Sequence, residues 1–337
     1  MKVKHIIIVL TLLVVSVAAV GFVAAYRMFY EPAVVSEQHI FVSGDMSLSD
    51  VEEMMEDNLR HKRACEFYAH HIGLEKCKPG HYVLTPDMNV VQVARMFKTG
   101  RQTPVSVIIN NVRTPRELAG KLSRQIEADS ASLLRAFTSE EVARTAGFDS
   151  LQLFSMFIPN TYEFYWTVTP EEYVSRMRRE YDAFWSSRDA QLEYCGLSRF
   201  EVMTLASIVY EETKAVDEMP RVAGVYINRL HRGMKLEADP TVKYALQDFT
   251  LKRILNEHLK VDSPYNTYLH TGLPPSPICM PSIEAIDAVL HYEKHDYIFF
   301  CARPEFDGRH NFARNYAQHI ANAKAYRRAL DEKNKKR

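Results

Sequence analysis

The stretch IIIVLTLLVVSVAAVGFVAAY at 6–26 carries no charged side chain. As a helix rising 1.5 Å per residue it reaches about 30 Å, the thickness of a bilayer hydrocarbon core. The chain must therefore bury this run in lipid or lose it. Lys2 and Lys4 precede it, whereas Arg27 and Glu31 nearly cancel behind it. The excess of positive charge before the run is expected to keep the N-terminus in the cytoplasm and to place the body on the other side of the membrane. A cleaved signal peptide is the rival reading, and Ala18, Ala19, Ala24 and Ala25 leave a cleavage site open. Its apolar core is usually only about 7–15 residues long, so an uncleaved single-pass anchor over residues 1–30 is expected.

The body beyond this run is long enough for two domains, since the whole chain has 337 residues. With 47% hydrophobic and 25% charged residues it is expected to fold rather than remain disordered. Lys plus Arg and Asp plus Glu both total 42, and a formal net charge of zero argues against capture of nucleic acid. Five cysteines, Cys65, Cys77, Cys195, Cys279 and Cys301, form no CxxC pair. Cys65 and Cys77 are close enough in sequence to pair in an oxidising compartment, but ordinary thiols are expected.

From His39 to Gly100 the pattern is that of a small α+β module. SLSDVEEMMEDNLRHKR opens on Ser-x-x-Asp with helical spacing, and KPGHYVLTPDM reads as a turn and a strand. VVQVARMFKTG reads as a helix closed by Gly100, and TPVSVIINNV as a strand. Further on, PRELAGKLSRQIEA and PEEYVSRMRREYDAFWSSRDA each start a helix with proline, and FIPNTYEFYW between them reads as an aromatic loop.

The stretch SRFEVMTLASIVYEET, Ser198 to Thr213, carries most of the chemical information. Ser198 and Glu201 make a capping box, and Val202, Leu205, Ala206 and Val209 fall on one helical stripe. Stepping about 100° per residue puts Glu212 about 70° from the centre of that stripe and Glu211 about 170° away. Glu211 is thus expected in solvent. Glu212 borders apolar surface, where burial raises a carboxyl pKa towards the range that a general acid needs. PRVAGVYINRLHRGM then gives a second helix with Pro220 at its start, and ADPTVKYAL a third with Asp239 as N-cap.

Five segments, LASIVYEET, VAGVYINRL, MKLEADPTVKYAL, YNTYLHTGLPPSPICMPS and HNFARNYAQH, occur in an order and spacing that resembles the endolytic murein transglycosylases, the YceG-like family. CKPGHYVLTPDMNVVQVARMFKTG is similar to that family's LysM-like subdomain. The resemblance implies an α+β protein with a transmembrane helix at 1–30, a LysM-like subdomain at 31–110 and a mixed α/β catalytic domain at 111–337. The family's catalytic glutamate directly precedes Thr in a Glu-x-Glu-Thr signature, which here is Glu212 before Thr213. Asn228, Asp239, Thr241, Tyr265, Asn266 and Thr267 fall on motif positions implied to bind substrate or support the groove, as does the Gly272 to Pro275 turn. Tyr210, Met219, Ser276 and Asn160 depart from the family's usual Glu, Arg, Gly and Asp.

The implied reaction is cleavage of the MurNAc-GlcNAc bond of nascent peptidoglycan strands, leaving 1,6-anhydro ends and terminating elongation, with peptidoglycan synthases as partners. One carboxyl suffices for both proton transfers, and no cofactor is expected. A hydrolase using Glu218, Asp239 or Asp217 as second carboxylate is the nearest alternative. A non-catalytic peptidoglycan-binding division scaffold is another. His291 and His295, four apart with His310 and His319 downstream, keep a metalloenzyme open, although packing roles are expected and no metal is assigned.

Overall fold

A computed structural model describes residues 2–44 and 46–335. Met1 and 336–337, the extreme ends of the expected anchor and catalytic domain, lie outside the described residues. The architecture is α+β and divides into two units. The first takes in residues up to Val107 together with 125–127 and 163–168, whereas the sequence places a boundary at 110.

The first unit begins with α1 (Lys2–Tyr30), whose mean hydropathy of 3.0 makes it long and apolar enough to cross a membrane, and whose apolar window has no buried residue. β1 (Gln38–Val42), α2 (Leu48–Met55), α3 (Lys62–His71) and β2 (Gly80–Leu84) come after it. β1 and β2 are antiparallel, with Ile40 opposite Tyr82. The expected Ser-x-x-Asp start is present: Asp50 Oδ2 accepts from the Ser47 amide at 2.7 Å. The helix breaks after Met55, however, because Asn58 is drawn aside. Its Nδ2 donates to Ser36 O at 2.9 Å and to Gln38 Oε1 at 2.8 Å, and Leu59 bridges to Val34. These tertiary bonds act on a stretch, EDNL, whose Asp57 and Asn58 are weak helix formers.

α4 (Val90–Thr99) has a reciprocal capping box between Asn89 and Gln92, and ends where Gly100 turns left-handed at φ 72°. Its Phe97 meets Tyr82 edge-on at 4.9 Å, both fully buried. Burying such aromatics stabilises a unit this small by about 3 kcal/mol each. β3 (Val105–Ile109) is next, and the division between the units falls within it.

The second unit contains α5 (Pro115–Leu122), α6 (Ser130–Thr138) and α7 (Glu140–Thr145). The expected aromatic loop holds a strand, β4 (Asn160–Phe164), which pairs with β3, is likewise split by the division between the units, and buries Tyr162 and Phe164 on one face. α8 (Pro170–Trp185), α9 (Asp189–Cys195), α10 (Arg199–Glu212), α11 (Met219–His231), α12 (Asp239–Leu246) and α13 (Ile283–Leu290) come next. β5 (Phe299–Ala302) and β6 (His310–Ala313) form an antiparallel pair, and α14 (Tyr316–Lys335) closes the described chain. The strands of this unit are short two-stranded pieces between many helices, which is why the expected mixed α/β domain reads here as largely helical.

α10 is the centre. The Ser198 and Glu201 capping box is formed in both directions. Every residue from Val202 to Val209 is buried, not one stripe. A helix apolar on all sides is a core helix, and α11, α12 and α13 pack around it. Ser207, polar and fully buried, accepts from the Ile278 amide at 3.0 Å and so ties the 276–282 segment to this core.

Candidate active site

Glu212 is the last residue of α10, and Thr213 leaves the helix in an extended conformation (φ −137°, ψ 143°). A core helix thus delivers a carboxyl at its end. Tyr226, buried on α11, donates its hydroxyl to Glu212 Oε1 at 2.7 Å. Burial pushes the Glu212 carboxyl up to about 7; the Tyr226 hydrogen bond opposes that shift, and the charge of Asp239 adds to it. A group with this pKa holds and releases a proton near neutrality.

The carboxyl lines a cavity of about 450 Å³ shared with Asp239, Tyr268, Phe300, His310 and His319. Sites of this size hold small organic ligands or sugar units. Tyr268 donates to Asp239 Oδ1 at 2.7 Å. Arg229 also lines the cavity, but its guanidinium is bound to Glu237 and to the carbonyls of Lys235, Leu236 and Ile298, so it braces the wall. His319 stacks on Phe299 at 5.1 Å, and its Nδ1 is buried with no hydrogen-bond partner among the described residues. Burial lowers its pKa, which favours the neutral ring.

Residues 40–325 match the YceG-like family. The chain belongs to the YceG-like family. It is 32% identical over 166 residues to an endolytic murein transglycosylase of Bacillus subtilis, covering 49% of this chain and 44% of that protein. An endolytic murein transglycosylase of Streptococcus pneumoniae is 26% identical over 295 residues, covering 78% of this chain and 53% of that one. The chain spans about half the length of these relatives. A yceG-like protein from Listeria monocytogenes, solved at 2.6 Å, matches with TM-score 0.56 and 25% identity over 85% of this chain and 99% of that chain.

In this YceG-like chain only Asp239, of the six candidate binding residues, lines the cavity beside Glu212. Thr241, Asn266 and Thr267 are fully buried, and their polar atoms are spent on the scaffold. Thr241 and Thr267 share a hydrogen bond at 2.8 Å, and Asn266 Nδ2 donates to the carbonyls of Leu259 and Val261. Asn228 Nδ2 donates to the carbonyls of His295 and Tyr297, and Tyr265 bonds Ser276 at 2.6 Å. None of these five lines the cavity that holds Glu212. Asp239 is the first residue of α12 and Ala238 is its N-cap, so the Asp239 side chain is free to take Tyr268.

Two further expectations change. Glu211 does not stand in solvent: with no apolar stripe to oppose, it is half-buried between Arg113 (3.3 Å) and Lys214 (3.7 Å). His291 and His295 do not share a helix, because α13 ends at Leu290. His291 Nδ1 lies 3.0 Å from Asp287 O, and His295 Nε2 lies 2.9 Å from Arg221 O. Tyr226, Tyr268 and His310 lie within the quoted motifs, yet no local pattern sets them apart from their neighbours. Gly224 is similar: a Cβ there would collide with the Glu293 carbonyl, so α11 approaches that backbone only because the residue is glycine.

Proposed function

We propose that this chain cleaves peptidoglycan glycan strands as a lytic transglycosylase, with Glu212 as both acid and base. The observation that carries the reading is the Glu212 carboxyl, raised to about 7 and opening into the cavity beside Asp239. Protonated Glu212 gives its proton to the glycosidic oxygen as the bond from the muramyl anomeric carbon breaks. The muramyl C6 oxygen then bonds to that carbon, and its proton passes to the Glu212 carboxylate. The acid is regenerated without water, and the product carries a 1,6-anhydro ring. Release of such ends would terminate a growing strand.

A second reading has one specific observation behind it: Asp239 shares the cavity and could activate water in a two-carboxylate hydrolase. Glu218 and Asp217 are poorer candidates. Glu218 is bound to His310 and Thr213, and Asp217 to Arg309 at 2.8 and 2.9 Å. Mass analysis of products from purified uncrosslinked strands separates the readings. Anhydromuramic ends are expected; ends heavier by one water would transfer the role to the Glu212 and Asp239 pair.

The same proposal makes α1 an uncleaved inner-membrane anchor with a cytoplasmic N-terminus, supported by the Lys2 and Lys4 flank and the length of the helix. It makes the β1, α2, α3, β2 order a LysM-like glycan-holding module, supported by the antiparallel pairing of its outer strands. A reporter fused after Tyr30 and active only in the cytoplasm would overturn the topology.

A further inference from the structure

Glu218 is 5% exposed, although the proposed chemistry does not use it. Its Oε1 accepts from the His310 amide at 2.9 Å, and its Oε2 lies 2.8 Å from His310 Nδ1 and accepts from Thr213 Oγ1 at 3.3 Å. A buried carboxyl costs stability unless its oxygens are satisfied, and here both oxygens are turned onto one histidine and onto the residue after Glu212. Arg221, Arg303 and Arg309 lie close enough to feel its charge. A carboxylate only accepts, so Nδ1 carries the ring proton. In the neutral ring that leaves Nε2 as a lone-pair acceptor.

His310 lines the same cavity as Glu212. Its ring meets Phe300 edge-on at 5.1 Å, and Phe300 meets Tyr226, the Glu212 partner, edge-on at 5.8 Å. The ring plane is thereby fixed against the wall that also positions the acid. With Nδ1 occupied by Glu218, the edge that the ring offers to a ligand is Nε2. We propose that His310 Nε2 accepts a hydrogen bond from a sugar hydroxyl of the bound strand, and that Glu218 is the positioning residue that fixes the tautomer. This inference rests on the peptidoglycan reading above. It gives Glu218 a role distinct from a second catalytic carboxylate.

A mere staple between the 216–218 turn and β6 is the competing explanation, and His310→Asn separates the two. The amide of Asn reaches the place of Nδ1 and keeps the bond to Glu218, but it offers nothing at the place of Nε2. His310→Gln instead offers a polar group near Nε2. The full chain in detergent, carrying Glu212→Gln so that strands bind without being cut, is titrated with uncrosslinked glycan strands. His310→Asn is expected to keep the melting temperature and to weaken binding by about 3- to 10-fold, the worth of one hydrogen bond, with partial recovery in His310→Gln. In the chain labelled with 15N-histidine, the signal that His310→Asn removes should show a protonated Nδ1 and a bare Nε2 that shifts when strands are added.

Unchanged binding by a stable His310→Asn variant, or a ring that carries a proton at Nε2, whether alone or together with Nδ1, overturns this inference. Strand cleavage by the wild type would then still support the parent reading. If wild-type protein neither binds nor cuts strands, both fall together.

Discussion

Each unit holds one glutamate that burial pushes up to about 7, Glu52 on α2 and Glu212 at the end of α10. Their surroundings differ. Glu52 Oε1 is buried with no hydrogen-bond partner among the described residues, and its charge helps push the buried thiols of Cys65 and Cys77 up to about 12. Glu212 has a tyrosine hydroxyl on one oxygen and opens into a cavity lined also by Asp239, Glu237 and two histidines. A raised pKa therefore marks burial, and it is the cavity and donor around the Glu212 carboxyl on which its proposed role rests.

The largest expected difference is in catalysis. Glu212→Gln should lower the rate of anhydromuramic end formation by about 10²–10⁴-fold while keeping strand binding, because Gln can neither give nor take the proton. Glu52→Gln should leave that rate unchanged. Equal losses in the two variants would erase the distinction drawn between the units.

The next effect is on stability, and there the two glutamates should behave alike. Each carboxyl is held near 7 in the fold against an ordinary value of 4.5. The folded protein thus binds these protons more tightly, so the contribution of each carboxyl to stability is fully present below about 4.5 and is lost as pH rises through about 7. Thermal melts from pH 4 to pH 8 should show each Gln variant gaining on the wild type as pH rises. A difference between variant and wild type that is flat across this range would mean that the carboxyl is not shifted.

A smaller effect sharpens the account of Glu212. The Tyr226 hydroxyl stabilises the carboxylate, so Tyr226→Phe should raise the Glu212 pKa further and move the alkaline limb of the rate profile to higher pH. A shift to lower pH would show that the tyrosine stabilises the protonated form. The smallest effect is expected at Glu211. Glu211→Gln loses a half-buried pair with Arg113, worth about 0.2–1 kcal/mol, which should appear as a slightly lower melting temperature with cleavage within about twofold of wild type.

Much of the local structure was legible because it depends on neighbouring residues. Ser198 with Glu201 and Gly100 after Thr99 mark helix ends through bonds made within one turn. The helical-face argument selects Glu212 over Glu211, but its premise of one apolar stripe fails: α10 is buried all round, and Glu211 is held by Arg113 instead of water. The groove residues were legible only in part. Asn228, Thr241, Asn266 and Thr267 sit in the right motifs, yet their amide and hydroxyl groups are used by loop carbonyls and by one another.

The sequence alone determined the apolar N-terminal helix, the cap at the start of α10 and the one at the end of α4, and the glutamate at the end of α10, since charge, periodicity and capping act over a few residues. Tertiary structure alone decided which groups share a cavity with that glutamate. Tyr226 is 14 positions from Glu212, and His310 is 92 from Glu218. Contacts at such separations follow from how α11 packs on the buried α10 and how β5 in turn packs on α11 and pairs with β6, and no spacing rule along the chain encodes that packing.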